Sequence, residues 1–197
     1  MNSARPPVTR ERIAAVALAL IDAEGTRAVT MRAVGEALGV RAPSLYVHVR
    51  GRAEILSLAH AAVIREIGPM PATGDWRADL RDFYVRMHRV FLAHGDIASL
   101  QFGAIPTSPE SLTGFEVAIR ALVDSGLPKD LAMQGTERLS LYVTADAYER
   151  WEFRRRARED EGDPTWSGDV PIIHADADAA FHFGLDLLLG GLAELAG

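Results

Sequence analysis

The sequence predicts an all-α chain, with a small N-terminal domain of three helices followed by a larger helical body. Three observations carry this. Apolar residues recur at spacings of three and four through every long segment. No long stretch alternates apolar and polar residues with β-branched enrichment, so no strand is expected. Glycine and proline punctuate the periodic segments where helices need to stop. A chain of 197 residues, 48% hydrophobic, is long enough to fuse a small domain to one with its own core.

The elements follow in order. Thr9 caps the first helix and Gly25 stops it. Ile13, Val16, Ala17, Leu20 and Ile21 share one face between them. Ala28 and Val29 lead to a helix over 31–38, capped by Thr30. Gly39 supplies a tight turn, because glycine takes a left-handed backbone without steric cost. A second short helix starts near Pro43, a residue suited to a first turn, and ends near His48. Ala33, Val34, Ala37, Leu38, Val40 and Leu45 lock these two helices together.

A fourth helix spans Arg52 to about Ile67, with Ile55, Leu56, Ala59, Val63 and Ile67 buried, and Gly68-Pro69-Met70-Pro71 ends it. The next runs from Asp75 to His94 on a stripe of Leu80, Phe83, Met87, Val90 and Phe91, and Gly95 ends it. Asp96 is expected to cap a short helix reaching about Phe102. After a loop over 103–108, Ser108 caps a helix from Pro109 to about Ser125. Leu112, Phe115, Val117, Ile119, Leu122 and Val123 are expected to be mostly buried there. Gly126-Leu127-Pro128 turns into a long helix to about Ala157. A polar loop over 160–171 precedes a last helix over about 175–196.

Composition narrows the function classes. Without cysteine there are no disulfides or cysteine-based zinc sites. The first residues lack the apolar run of a signal peptide. Asp186, Glu194 and several glycines interrupt the stretch Leu185–Leu195, so no membrane span or membrane partner is expected, and a bacterial cytoplasm is the expected location. Net charge is −6, yet it is divided unevenly. Residues 1–52 hold eight arginines against four acidic residues, a net +4, whereas the remainder holds 13 basic and 23 acidic residues, a net −10. A basic head on an acidic body suits a DNA binder with a separate regulatory domain.

The stretch Thr30–Arg52 reads as a helix-turn-helix. Its second helix points Ser44, Tyr46 and His48 outward, with Arg41, Arg50 and Arg52 at its flanks. Polar and aromatic groups edged with arginine suit a major groove and its phosphates. Ala37-Leu38-Gly39-Val40, Pro43-Ser44-Leu45-Tyr46, His48 and Arg52 resemble the DNA-binding domain of the tetracycline-repressor (TetR) family, as does Gly25 followed by Val29-Thr30-Met31-Arg32. The C-terminal run Phe183–Leu192 extends the resemblance more loosely.

The resemblance implies that Arg41, Ala42, Pro43, Ser44, Tyr46 and His48 touch DNA. Arg41 has the chemistry to bond guanine O6 and N7 together, and Ala42 and Pro43 to pack on thymine methyls. Tyr46 and His48 are assigned to phosphates, with packing and helix termination as their plainer roles. Thr30 and Arg32 are expected to clamp the backbone, and Arg52 to meet a phosphate at a helix N-terminus. Arg5 and Arg10 are candidates for a minor-groove arm. Val47 stands where close relatives carry a bulkier aromatic.

The partners expected are a double-stranded, near-palindromic DNA operator, a second copy of the chain, and a partly apolar small-molecule effector. The expected domains are 1–52, the DNA-binding head, and 53–197, for ligand binding and dimerisation. Phe181, Leu185, Leu188, Leu189, Leu192 and Leu195, with Leu139, Tyr142, Val143, Ala147 and Tyr148, are candidates for a four-helix interface; facing their own core is the alternative. Met87, His88, Phe91, Gln101, Phe102, Phe115 and Tyr142 are candidates for the effector pocket, against a plain core role for each. Trp151 and Trp166 are candidates for its lid, with an interface role as the alternative for Trp151. The histidines show no metal-ligand spacing and no cofactor is expected. Nothing supports catalysis: there is no nucleophile elbow and no phosphate loop. The function expected is a ligand-released repressor. The rival is a helical small-molecule carrier with no DNA-binding role.

Overall fold

The structure is a computed structural model that describes residues 6–102, 109–159 and 176–196. Among them every regular element is a helix, with no strand. The α-helices are α1 (Arg10–Glu24), α2 (Met31–Leu38), α3 (Arg52–Ile67), α4 (Trp76–Ala93), α5 (Pro109–Asp124), α6 (Lys129–Glu159) and α7 (Ala177–Ala196). Short 3₁₀ helices cover Thr26–Ala28, Ala42–Val47 and Ile97–Gln101.

The head forms where local signals agree. Thr9 Oγ1 accepts the Arg12 N–H and Thr30 Oγ1 the Ala33 N–H, so both threonines are N-caps. Ile13, Ala17 and Ile21 of α1 and Val34 and Leu38 of α2 are buried against Ile55 and Ala59 of α3. The body packs α4 and α5 against α6, and α7 against α4 and α6. Tyr84 is buried there with its hydroxyl on the Thr136 carbonyl; burial pushes its pKa up to about 12.

Several expectations are corrected. Asp96 does not cap its short helix; its carboxylate is turned to Thr26 instead. Among the described side chains of α5 only Ala118 and Leu122 are fully buried, while Leu112, Val117 and Val123 are exposed. On α6, Leu139, Val143 and Ala147 are buried in their own core and are not open to a partner. On α7, Phe181, Leu185 and Leu189 face inward, and Phe183, Leu187 and Leu195 face outward. The cap at Ser108, the polar loop over 160–171, Trp166 and Arg5 lie outside the described residues.

By length and composition α7 is apolar enough to cross a membrane, with mean hydropathy 1.3. It is seated in the body, however. Asp186 accepts from Arg81 of α4 at 2.7 and 3.2 Å, and that guanidinium holds the Asp186 carboxyl below its ordinary range.

Candidate nucleic-acid interface and effector region

The turn between α2 and the recognition segment is built from backbone bonds. Gly39 adopts φ 69°, ψ 31°, its N–H donates to the Glu36 carbonyl, and Val40 N–H donates to the Gly35 carbonyl at 2.8 Å. This pair of bonds closes α2 in the manner of a Schellman turn. Gly35 makes room for it, since a methyl there would lie 3.0 Å from the Val40 carbonyl oxygen.

The recognition segment itself is a 3₁₀ helix, tighter than an α-helix, over Ala42–Val47. Leu45 and Val49 are buried and pin it to the head. Arg41, Pro43, Ser44, Tyr46 and Val47 are exposed, Tyr46 at 60% and Val47 at 85% of their surface. Ala42 and His48 are half-buried. Thr30 and Arg32 are exposed beside them, and Arg32 pairs with Glu36 at 2.7 Å. The predicted DNA residues thus lie on α2 and the recognition segment packed against it, with Arg52 on α3 behind Val29.

Arg52 differs from expectation. Its Nε donates to the Val29 carbonyl at 2.7 Å and its Nη2 to the Thr26 carbonyl at 2.8 Å. The guanidinium stitches α3 to the segment before α2, and two of its nitrogens are spent on backbone. Arg10 is likewise no flexible arm: it donates to the His48 carbonyl at 2.7 Å and to Glu54 at 2.5 Å. It closes the end of the recognition segment.

In the body, the seven effector candidates fall into groups. His88 stacks on Phe181 with ring centroids 3.6 Å apart and holds Asp146 through Nε2 at 2.6 Å. Tyr142 stacks on the same Phe181 at 5.7 Å, and its hydroxyl donates to the Phe181 carbonyl. Asp146 is also paired with Arg150, which reaches Asp178 on α7. Gln101 meets His60 of α3 at 3.2 Å, and Phe102 lies edge-on to Tyr148. Burial lowers the His60 pKa, which favours its neutral form. Met87 and Phe91 are buried and Phe115 is half-buried. A groove of about 320 Å³ lies elsewhere, between α6 and α7, lined by Leu131, Leu139, Leu187 and Leu192 among others. None of the seven candidates lines it.

Two features of the fold leave no signal in the sequence. Thr144 on α6 is 1% exposed, and its hydroxyl has no hydrogen-bond partner within the described residues. One turn away on either side stand Ser140, beside Tyr84, and Tyr148, beside Phe102.

The second is the seam between head and body. Asp96 accepts the Thr26 N–H at 2.5 Å and the Thr26 hydroxyl at 2.8 Å, both buried. A methyl on Gly25 would lie 3.1 Å from the Trp151 ring, so Trp151 seats against the head, and it also stacks on Tyr148. Replacing Asp96 with alanine is expected to cost about 2–3 kcal/mol, because the Thr26 N–H is left buried and unpaired. Thermal unfolding of the full chain measures it.

Family models match both halves. Residues 13–59 match "Bacterial regulatory proteins, tetR family" and residues 68–196 match "Tetracyclin repressor-like, C-terminal domain". An "HTH-type transcriptional regulator" of Saccharopolyspora erythraea is 30% identical across 98% of this chain and 88% of its own length. The Escherichia coli "Tetracycline repressor protein class E" is 25% identical across 92% and 89%. Among solved structures, the Streptomyces coelicolor TetR family protein ActR in complex with actinorhodin superposes with TM-score 0.83 at 32% identity, covering 97% of this chain and 98% of that one. These relatives are regulators rather than enzymes, and a stand-alone carrier does not account for the match over 13–59. The chain belongs to the TetR family of bacterial transcriptional regulators.

Proposed function

We propose that this protein is a cytoplasmic repressor that binds a near-palindromic DNA operator as a homodimer and is released by a small, partly apolar molecule. The exposed row of the recognition segment carries the reading. Arg41, Pro43, Ser44 and Tyr46 stand open to a groove while Leu45 and Val49 hold them rigidly from beneath. Thr30, Arg32, Ala42 and His48 border that row. Arg52 acts by bracing α3 on the head, with any phosphate contact secondary. The head comprises 1–52 and the regulatory domain the rest.

Dimerisation supplies two heads for half-sites about 34–36 Å apart or further. The exposed apolar residues Met133, Leu141, Phe183, Leu187 and Leu195 of α6 and α7 support a four-helix interface.

The effector would enter between α4, α5 and α6. The unpaired Thr144 hydroxyl supports this site, since a buried unsatisfied hydroxyl costs about 1–3 kcal/mol that a polar ligand atom would recover. Met87, His88, Phe91, Gln101, Phe102, Phe115 and Tyr142 are the proposed surroundings. Of these, Gln101 has the most direct route to the head, through His60 on α3. Relatives named as tetracycline repressors, and the actinorhodin complex of ActR, support control by a small molecule.

Genome-wide binding followed by mobility shift on a recovered fragment tests the reading. A salt-dependent complex is expected. Arg41→Ala should weaken it about 10–100-fold, the loss of one bidentate base contact worth about 1–3 kcal/mol. No shift on any recovered fragment at low ionic strength would refute the DNA-binding role.

A further inference from the structure

We propose that His94 is a proton-dependent positioning residue for the DNA-reading head: only its charged ring ties α1, the end of α3 and the body together at once. This rests on the reading of the first domain as a DNA-binding head.

His94 follows α4 directly. Its Nδ1 lies 3.1 Å from Asp22 Oδ1 on α1, and its Nε2 lies 3.0 Å from Glu66 Oε2 in the last turn of α3. The two carboxylates therefore address both nitrogens of one ring, whose side chain is 14% exposed. A neutral imidazole carries one N–H and one lone pair, and an ionised carboxylate only accepts. The neutral ring can satisfy one partner and must turn a lone pair toward the other. The imidazolium donates to both.

The charged groups that face the ring from the packed elements are Asp22 and Glu66. Asp96, two residues on, is committed to Thr26. Burial disfavours the charged ring, and the hydrogen bonds to Glu66 and Asp22 outweigh it, so the His94 pKa rises above its ordinary 6.5. The sign follows. The clamp contributes in full below pH 6.5 and is lost as pH rises through the higher folded-state value.

The functional consequence lies in pre-organisation. Losing one tie widens the range of head angles, and a dimer must then give up more freedom to present two heads at a fixed spacing. Operator affinity should fall as pH rises.

The test uses the full-length protein and the DNA fragment recovered from the genome. NMR titration of the His94 ring is compared in wild type, Asp22→Asn and Glu66→Gln, and affinity is measured at pH 6 and pH 8.5 in wild type and His94→Gln. The His94 ring should titrate above 6.5, and each amide variant should lower that value. The affinity ratio between the two pH values should exceed that of His94→Gln by about fivefold, the low end for coupled sites. The His94→Gln protein keeps every other pH-dependent contribution, so the comparison isolates that of His94. A ring titrating at or below 6.5, or equal affinity ratios in the two proteins, overturns the proposal. Absence of DNA binding at every pH, with the ring titrating high, would instead overturn the DNA-binding reading and with it the positioning role.

Discussion

A Leu187→Glu substitution is expected to convert the proposed dimer to a monomer and to lower affinity for the proposed operator about 100-fold or more. Leu187 is 65% exposed on the outer face of α7, between Phe183, 70% exposed, and Leu195, and it borders the groove against α6. Little in the single chain depends on it, so circular dichroism and the unfolding temperature of the monomer should change little. In a two-fold interface one substitution acts twice, bringing two carboxylates into an apolar patch. Linking two binding modules typically raises avidity 10²–10⁴-fold, and a monomer forfeits that gain. Analytical ultracentrifugation and a mobility shift measure the two effects together. A variant that stayed dimeric with unchanged affinity would place the interface on another face.

Gly95→Ala is expected to be the most damaging single methyl at the head–body seam, at about 2–5 kcal/mol. Gly95 has φ 51°, a left-handed backbone that costs an L-residue about 1–2 kcal/mol. A methyl there would also lie 2.3 Å from the Ile21 carbonyl oxygen, a contact no side-chain rotation relieves. Relief requires backbone movement, worth about 1–3 kcal/mol more. The expected fall in unfolding temperature is about 10 °C for a chain of this size. The corner also carries His94 and Asp96, so hydrogen exchange should quicken at the end of α1 before it does in the core of the body. Unaltered stability would mean that the corner does not hold the head.

The sequence disclosed what neighbours along the chain decide. Thr9, Thr30 and Gly39 cap or close helices through bonds to residues a few positions away, so their patterns are complete in themselves. The span of α3 was readable for the same reason. Periodicity also identified apolar faces, but an apolar face does not say what covers it. Leu139, Val143 and Ala147 were therefore available to a partner on paper and belong to their own core in the fold. Asp96 shows the competing effect most clearly. Its position before a short helix suits a cap, yet Thr26, 70 positions upstream, offers two buried donors and takes the carboxylate. Arg10 and Arg52 were read as free cations because their carbonyl partners, 38 and 26 positions away, leave no trace in the local pattern. Of the effector region the sequence supplied residue types but not their grouping around Phe181 and Tyr148.

Both ends of α3 are held by arginines. Arg52 fastens its first turn to the head, while Arg86 of α4 donates to the carbonyls of Ile67 and Pro69 at its far end. Sixteen residues between such grips form a stiff rod about 24 Å long. Tilting that rod by about 5° around the Arg86 grip sweeps its other tip through about 2 Å, by the same helical rise. In the proposed repressor, a displacement inside the body too small to disturb its packing would thereby be magnified into a misfit against the rigid pitch of a duplex.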